Sequence, residues 1–471
     1  MAGMAMALPK TSLPAQNPAI RHNPGSKGPA TRLLCASDRT VNPEKFIESI
    51  KSIKEINLHI DSVAVDYQKP AEFLSAIQGR DADILILYLP RFTFSFGKLY
   101  DSMGDLGIPL LILAQNPDLI LIDANFAASL RTNGARVLFA TSPTQALQMI
   151  KALAAPRILE GKKAVIYGRR FDSTSVPAHN LSEDYIYAQT GVRLQYRPME
   201  ELMTRLKSVS EIGAEKEAER WKKEAQQIVE PTESAIFEAS KLYVLLRSIM
   251  ESEGFSAISI DCLALLFNPN PPLPFPCLAF ARLRDEGFTA ACEADVCGLL
   301  SSMFLQEISK KPSFFANVLS VNLDDSTILL SHCVAPLKMM GSEAAPLSYR
   351  LRDYHGMGKG VVPEVKFPAG IEVITGAFSK DLQKFIMWPG RIRLGAKDES
   401  VAPAFPVGFR RVTCSNNAVV TIKDADHFLQ NIAGIHHIMI TGNYYRRISE
   451  ALLGMNIGIV GPSDFTAPET I

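Results

Sequence analysis

The sequence lacks several features that would assign it to a common functional class. Its 471 residues carry no net charge, because 49 lysines and arginines balance 49 aspartates and glutamates. No basic stretch alternates with aromatic residues, so we expect no nucleic-acid partner. No uncharged apolar run approaches 18 residues and the N-terminus lacks the apolar core of a secretory signal, so we expect neither a membrane span nor export. A cytoplasmic protein is the resulting expectation.

The cysteine pattern excludes two further classes. The chain has seven cysteines, an odd number, and none form a Cys-x-x-Cys pair, so neither a disulfide framework nor a thiolate zinc knuckle is indicated. We expect reduced thiols. The composition, with 47% hydrophobic and 21% charged residues, is that of an ordinary globular protein long enough for two or three domains.

The order of apolar segments predicts an α/β protein with a β-rich end. Continuous apolar runs that alternate with helical segments are typical of parallel strands covered on both faces, and they occur at residues 60–65, 83–88, 108–113 and 135–140. Beyond about residue 310 short β-like segments dominate. We therefore expect a disordered tail over residues 1–45, α/β domains over 46–156 and 157–312, and a β-rich domain over 313–471. The basic, acid-poor residues 1–37 also resemble an organelle transit peptide, although their prolines disfavour an amphipathic helix.

Three distant segments carry side chains of the types that bind metal ions in proteins. Glu293 and Asp295 precede an apolar helical segment, His332 lies in an apolar strand-like segment, and His436 and His437 lie in another. Each has a structural explanation too, because acids are favoured near a helix N-terminus and a buried histidine is more often a hydrogen-bonded core residue than a ligand. Oxygen and imidazole ligands without paired thiolates favour Mn²⁺ or Mg²⁺ over structural zinc. We predict that these segments converge on one divalent cation.

Two other kinds of site are disfavoured by spacing. The glycine-rich segment 356–360 lacks the Walker spacing and a following Ser or Thr, so a phosphate-binding loop is not expected. No Gly-x-Ser-x-Gly elbow is present, and a buried cysteine is usually a small hydrophobic residue.

The order of the acidic and histidine segments resembles the L-fucose/L-arabinose isomerase family, of which the chain looks like a divergent member. The similarity includes Phe315-Ala-Asn-Val318, Ser331-His-Cys-Val-Ala-Pro336 and Leu453–Ile459, and it extends from about residue 55 to 460. The resemblance implies two Rossmann-like parallel-sheet domains followed by a β-rich C-terminal domain. It also implies a homotrimer or homohexamer with Mn²⁺, or another divalent cation, at a domain junction.

The resemblance also implies roles for individual residues. Glu293 would be a metal ligand and the acid/base carboxylate, His437 or its neighbour His436 a ligand, and His332 a ligand or orienting group. The family's second carboxylate corresponds to Asn317, whose amide can offer an oxygen to a metal but cannot act as a base. We therefore predict Glu293 and Asn317 as catalytic residues and Glu293, Asn317, His332 and His437 as metal ligands.

The implied function is the metal-dependent interconversion of an aldose and a ketose through an enediol, with a sugar or polyol as the substrate. Loss of one general base typically lowers a rate by about 10²–10⁴-fold, unless Asp295, Asp324 or Asp325 substitutes for it. The alternative is a homologue whose isomerase centre has decayed and which acts as a ligand-binding or assembly protein.

Overall fold

The computed structural model describes residues 30–54, 56–91, 96, 99, 103, 106–155, 159–168, 181–266, 268, 271, 273–394 and 414–462. The chain divides into two compact units, Met1–Gln148 and Met149–Ile471. The boundary that we placed between residues 156 and 157 and most of the expected tail, residues 1–29, lie outside the described residues.

The first unit contains a parallel sheet. Its strands β3 and β4 are buried at every position, which explains their continuous Leu and Ile content, whereas β2 is largely exposed at the edge. The strands lie in the order β2-β1-β3-β4-β5, with bounds β1 Thr31–Asp38, β2 Leu58–Val65, β3 Ile84–Tyr88, β4 Leu110–Leu113 and β5 Val137–Ala140. The helices that begin in the described part of this unit are α1 Glu44–Lys51, α2 Pro70–Ile77, α3 Leu121–Thr132 and α4 Pro143–Ala154.

Residues 31–45 differ from the expected disordered tail. Strand β1 pairs in parallel with both β2 and β3, so it lies inside the sheet. The backbone N–H of Arg32 donates to Asp83 Oδ2 at 2.8 Å, and its guanidinium donates to Asp83 Oδ1 at 3.0 Å. The short apolar run 33–36 is enough for a strand here because neighbouring strands cover both of its edges.

The second unit begins with another parallel sheet. Its strands lie in the order β10-β9-β6-β7, with bounds β6 Lys163–Tyr167, β7 Arg193–Arg197, β9 Ala257–Ile260 and β10 Thr289–Cys292. The helices up to its last strand are α5 Glu183–Thr190, α6 Met199–Leu206, α7 Glu211–Glu224, α8 Glu233–Glu253, α9 Cys262–Leu266 and α10 Cys277–Asp285. Helix α7 ends at Glu224, and Gln227–Ile228 form the short strand β8.

A closed six-stranded antiparallel barrel follows the parallel sheet. The strands run in the order β15-β18-β11-β12-β17-β16, and β16 pairs back onto β15, so these strands leave no unpaired edge among themselves. Their bounds are β11 Phe314–Asn322, β12 Thr327–His332, β15 Glu372–Phe378, β16 Lys384–Leu394, β17 Asn416–Ile422 and β18 His436–Thr441. The short strand β19 Gly458–Val460 adds in parallel to β16.

Helix α11, Val296–Ser309, connects the sheet to the barrel. It is apolar around almost its whole circumference and nearly every residue is buried, because it packs on β9 and β10 on one side and on β15 and β18 on the other. The remaining elements are β13 Tyr349–Arg352 and β14 Val362–Val365, which form a small sheet with β8, and helices α12 Ala425–Gln430 and α13 Tyr445–Met455. A mixed α/β architecture with parallel sheets and a β-rich, barrel-like part is therefore confirmed. None of the described helices is long and apolar enough to cross a bilayer.

Candidate metal centre

The turn between β10 and α11 has an unusual backbone. Glu293 and Ala294 have φ angles of 64° and 49°, in the left-handed region that costs a non-glycine residue about 1–3 kcal/mol. Hydrogen bonds hold this conformation, since the N–H of Ala294 donates to the carbonyl of Ile260 at 3.2 Å and the N–H of Asp295 donates to the carbonyl of Cys292 at 3.3 Å. The turn is thus kept in a strained form, which is typical of functional sites.

Glu293 lies between two imidazoles. Its Oε2 is 3.5 Å from Nε2 of His436, and its Oε1 is 3.7 Å from Nε2 of His332. One ligand atom from each of the three residues lies within 4.8 Å of the other two. The histidine side chains are almost completely buried, and that of Glu293 is 14% exposed. Three chain segments therefore converge on one small volume, as the sequence predicted for Glu293 and His332.

Asp295 orients His436. Its Oδ2 is 2.7 Å from Nδ1 of His436, and its Oδ1 accepts from the N–H of Gly298 at 3.1 Å, which caps α11. Burial would raise the pKa of Asp295, but the hydrogen bond to His436 and the charge of that ring hold it well below its ordinary value. When the ring is neutral, an ionised Asp295 that accepts from Nδ1–H leaves the lone pair of Nε2 on the Glu293 side. This is the arrangement that orients metal-binding histidines.

The donor set fits a divalent cation. Within the described part of the chain, three buried polar atoms of this region have no hydrogen-bond partner: His436 Nε2, His332 Nδ1 and Asn317 Oδ1. A buried polar atom without a partner costs about 1–3 kcal/mol. A cation bound by Glu293, His332 and His436 would satisfy Nε2 of His436 and offset the charge of the Glu293 carboxylate.

Asn317 lies beside this cluster. On β11 it pairs with His436 of β18 and with Ser331 of β12, so its side chain is on the same face of the sheet as that of His436. The ring of Phe315, on the same face, has its centroid 4.3 Å from that of the His436 ring, in a tilted contact, and 5.5 Å from that of the His332 ring, in an edge-on contact. Asn317 therefore has a neutral side-chain oxygen on the face of the sheet that carries His436.

The structure brings His436 to Glu293 and leaves His437 out of the cluster. Adjacent residues of a strand point to opposite faces, and His437 packs on Phe428 with its Nε2 accepting from the N–H of Ala433 at 3.2 Å. Burial lowers the pKa of His437 to about 3, so this ring stays neutral. Our choice of His437 over His436 therefore disagrees with the geometry.

The aspartates that we considered as substitute bases lie elsewhere or have another role. Asp324 and Asp325 are in the turn between β11 and β12, roughly 17 Å along the strand from Asn317 at about 3.3 Å per residue. Asp325 also pairs with Arg393 at 3.4 Å. Asp295 does reach the cluster, but as the partner of His436. Its Ncap position was visible in the sequence, whereas its contact with a strand 141 residues away was not.

Comparison with known proteins gives a weak and partial relationship to isomerases. No protein-family model matches the chain. A sulfoquinovose isomerase of Alkalicoccus urumqiensis is 27% identical over 100 residues, which cover 21% of this chain and 22% of that protein. A sulfoquinovose isomerase of Clostridium sp. (strain MSTE9) is 30% identical over 94 residues, which cover 20% of each protein. The similarity thus spans only about a fifth of the length of these curated relatives.

Proposed function

We propose that the protein is a divalent-metal-dependent isomerase that interconverts an aldose and a ketose, with Mn²⁺ or another divalent cation as its metal ion. The observation that carries this proposal is the carboxylate of Glu293 between two buried imidazoles, one of them oriented by Asp295. The names of the two partial relatives support a sugar as the substrate class. A homotrimer or homohexamer, which the family resemblance implies, stays a prediction that light scattering can test.

Glu293 is the residue to which we assign proton transfer at carbon. Burial disfavours its ionised form, but the positive charge of the nearby imidazoles, that of His436 first and that of His332 second, holds its pKa below the ordinary value, so it is a carboxylate at neutral pH. In the reaction it takes the proton from the hydroxyl-bearing carbon beside the carbonyl and returns it to the former carbonyl carbon. A bound cation supplies Lewis-acid polarisation of the carbonyl. Glu293, His332 and His436 would hold the cation, and Asn317 would offer it a neutral oxygen.

The reaction must also move a proton between the two hydroxyl oxygens. Asn317 cannot do this as a base, since an amide has no basic site near neutral pH. Asp295 is bound to His436, and Asp324 and Asp325 lie at the far end of the hairpin. We therefore propose that water or the substrate's own hydroxyls carry this proton, with turnover about 10²–10⁴-fold below that of a two-carboxylate site.

The test is an assay of the full chain, with and without Mn²⁺, on a panel of aldoses and ketoses that includes sulfoquinovose. We expect slow turnover that requires the metal and is abolished by Glu293→Gln, which removes the base but keeps the side-chain shape. Asp325→Asn is the matched control, because it neutralises an exposed acid outside the cluster and should leave turnover unchanged. Metal-dependent turnover that survives Glu293→Gln would refute the role of Glu293.

One observation favours a second candidate, a decayed isomerase that binds a sugar without converting it. This observation is the amide of Asn317, at the position where the family resemblance implies a second carboxylate. Its Oδ1 is buried and has no hydrogen-bond partner among the described residues. The variant Asn317→Asp separates the two candidates. If the wild type binds Mn²⁺ and turns over no sugar of the panel, while Asn317→Asp gains activity, the decayed homologue is the correct description.

A further inference from the structure

A second cluster of potential ligands lies at the ends of other strands. The Sγ atoms of Cys333 and Cys414 are 3.4 Å and 3.2 Å from Nε2 of His355. Cys333 immediately follows β12, Cys414 lies two residues before β17, and His355 is in the loop between β13 and β14. Cys333 and His355 are buried and Cys414 is half-buried. The three atoms lie within 4.8 Å of one another.

These distances are close to the edges of a zinc tetrahedron. With Zn–S bonds of about 2.3 Å and Zn–N bonds of about 2.0–2.1 Å, a tetrahedral angle separates sulfur and nitrogen by roughly 3.6 Å. The two measured separations are only a few tenths of an ångström shorter. A small outward movement of the side chains would therefore admit the ion, without any change of the backbone.

The backbone that carries the ligands is fixed by hydrogen bonds. The loop of His355 is organised by Asp353, whose carboxylate accepts from the N–H groups of Gly356 at 2.9 Å and Gly358 at 2.7 Å. His355 itself has a φ angle of 51°, a left-handed conformation that is unfavourable for histidine and that turns its side chain toward the two thiols.

The two cysteines are held in the same way. The N–H of Cys414 donates to Ser331 Oγ at 3.2 Å. Asn416 donates to the carbonyl of Cys333 at 3.1 Å and accepts from the N–H of Val365 at 2.7 Å. All three ligands thus lie on a preorganised frame, which lowers the entropic cost of binding an ion.

We propose that Cys333, Cys414 and His355 bind a zinc ion, with a fourth position left for water or another ligand. Thiolates are soft ligands that select Zn²⁺ over Mn²⁺ or Mg²⁺, and two of them balance the charge of the ion. Two thiolates and one imidazole with an open position are also a known zinc donor set. The site differs in chemistry from the Glu293 cluster, which contains oxygen and imidazole donors and no sulfur.

The site has a consequence for its neighbour. Cys333 follows His332 in the chain, so an ion on Cys333 would tie the end of β12 to the loop of His355 and to the residues before β17. We expect the bound ion to fix the position of His332. The importance of that effect rests on the proposed function, whereas the zinc site itself does not depend on it.

The test uses the full chain purified under reducing conditions with zinc, followed by elemental analysis and by replacement of the zinc with Co²⁺. Cobalt bound by thiolates gives a near-ultraviolet charge-transfer band, which oxygen and imidazole ligands alone do not give, so the band reports thiolate ligation and the variants below assign it to this cluster. We expect stoichiometric zinc and the cobalt band in the wild type and in Glu293→Gln. We expect the cobalt band to fall to about half of the wild-type intensity or less in Cys414→Ser, which keeps one of the two thiolates. We expect at least a 10-fold loss of zinc affinity in Cys414→Ser and in His355→Gln, which keeps both thiolates but lacks the imidazole.

Cys35→Ser is the matched control, because it also replaces a buried cysteine but lies in the first unit. It should retain zinc and the cobalt band. Wild-type protein without zinc and without the cobalt band would overturn the proposal. A disulfide between Cys333 and Cys414 in protein purified under reducing conditions would overturn it too. A band of wild-type intensity in Cys414→Ser would overturn it as well. A wild-type spectrum without the band overturns the proposal by itself, so a variant that fails to fold does not block the test.

Discussion

Replacement of Asp295 by asparagine tests the orientation of His436 without removing a metal ligand. Asp295 has two acceptor oxygens in use, one for the N–H of Gly298 and one for Nδ1 of His436. An asparagine has one oxygen and one NH₂ group. If its oxygen keeps the helix cap, its NH₂ faces Nδ1 of His436. That nitrogen must then accept, and the ring proton moves to Nε2, where it blocks the lone pair that would bind the cation.

The magnitude follows from the two ways in which the amide can be placed. Loss of an outer partner of a ligating histidine typically lowers metal affinity 10–100-fold, or about 1.4–2.7 kcal/mol. If the amide flips so that its oxygen faces Nδ1–H, the N–H of Gly298 loses its acceptor, and the lost cap costs about 1–2 kcal/mol. In the first orientation the ring cannot bind the cation, and in the second the binding of the cation costs the helix cap. We therefore expect at least a 10-fold weaker affinity for Mn²⁺ in either case.

The assay is calorimetric titration of Mn²⁺ into the full chain, with urea unfolding of the metal-free protein beside it. Asp424→Asn is the matched control, because Asp424 caps α12 through the N–H of His427 and lies outside the Glu293 cluster. Asparagine and aspartate are nearly equal as caps, so neither variant should lose much metal-free stability through its cap. Wild-type affinity for Mn²⁺ in a folded Asp295→Asn protein would refute the orienting role.

Two further predictions concern stability. Burial raises the pKa of Asp285 from 3.8 to about 6, so the folded state holds this proton more tightly than the unfolded state, and its ionisation destabilises the fold above pH 6. Asp285→Asn keeps an acceptor for the N–H of Lys338 and carries no charge at any pH. It should therefore raise the free energy of unfolding by about 1–3 kcal/mol at pH 8, but not below pH 4, as measured by urea unfolding. An equal gain at both pH values would contradict this. Gly298→Ala should lower the free energy of unfolding by about 1–2 kcal/mol, since the added Cβ would lie 2.6 Å from Cε2 of Phe315. Gly213→Ala, whose Cβ would have no atom nearer than 3.7 Å, should raise the free energy of unfolding by up to about 1 kcal/mol. Thermal unfolding of both variants is the measurement, and equal shifts would contradict the packing argument.

The strands were predictable where hydrophobic pattern alone determines them. The continuous runs of β3 and β4 were placed within about two residues of their observed bounds, because strands buried on both faces have few polar residues. Strand β1 was missed because its apolar run 33–36 directly follows a stretch rich in Ala, Pro and Ser that reads as a tail. The closure of the barrel was not predictable, since it depends on which strands pair across long stretches of chain.

The candidate site was predictable in its segments but not in its register. That Glu293 and His332 come together follows from the order of motifs, whereas the choice between His436 and His437 depends on the pairing of Asn317 with His436. A shift of one residue would exchange the faces of the two histidines. The cysteine–histidine cluster was hidden for a similar reason, because residues 333, 355 and 414 have no local spacing that marks a metal site.

The purely structural explanation for acids at the start of α11 accounts for Asp295 but not for Glu293. Asp295 satisfies the helix cap through Gly298, so the cap needs no second carboxylate. Glu293 instead adopts a left-handed φ angle and places a mostly buried charge between His332 and His436. The φ angle is unfavourable for folding, and a residue with an ordinary backbone conformation in this turn would avoid that cost. A cation bound by Glu293 would supply a compensation that helix capping does not, and this is the strongest physical reason to propose the cluster as a metal centre.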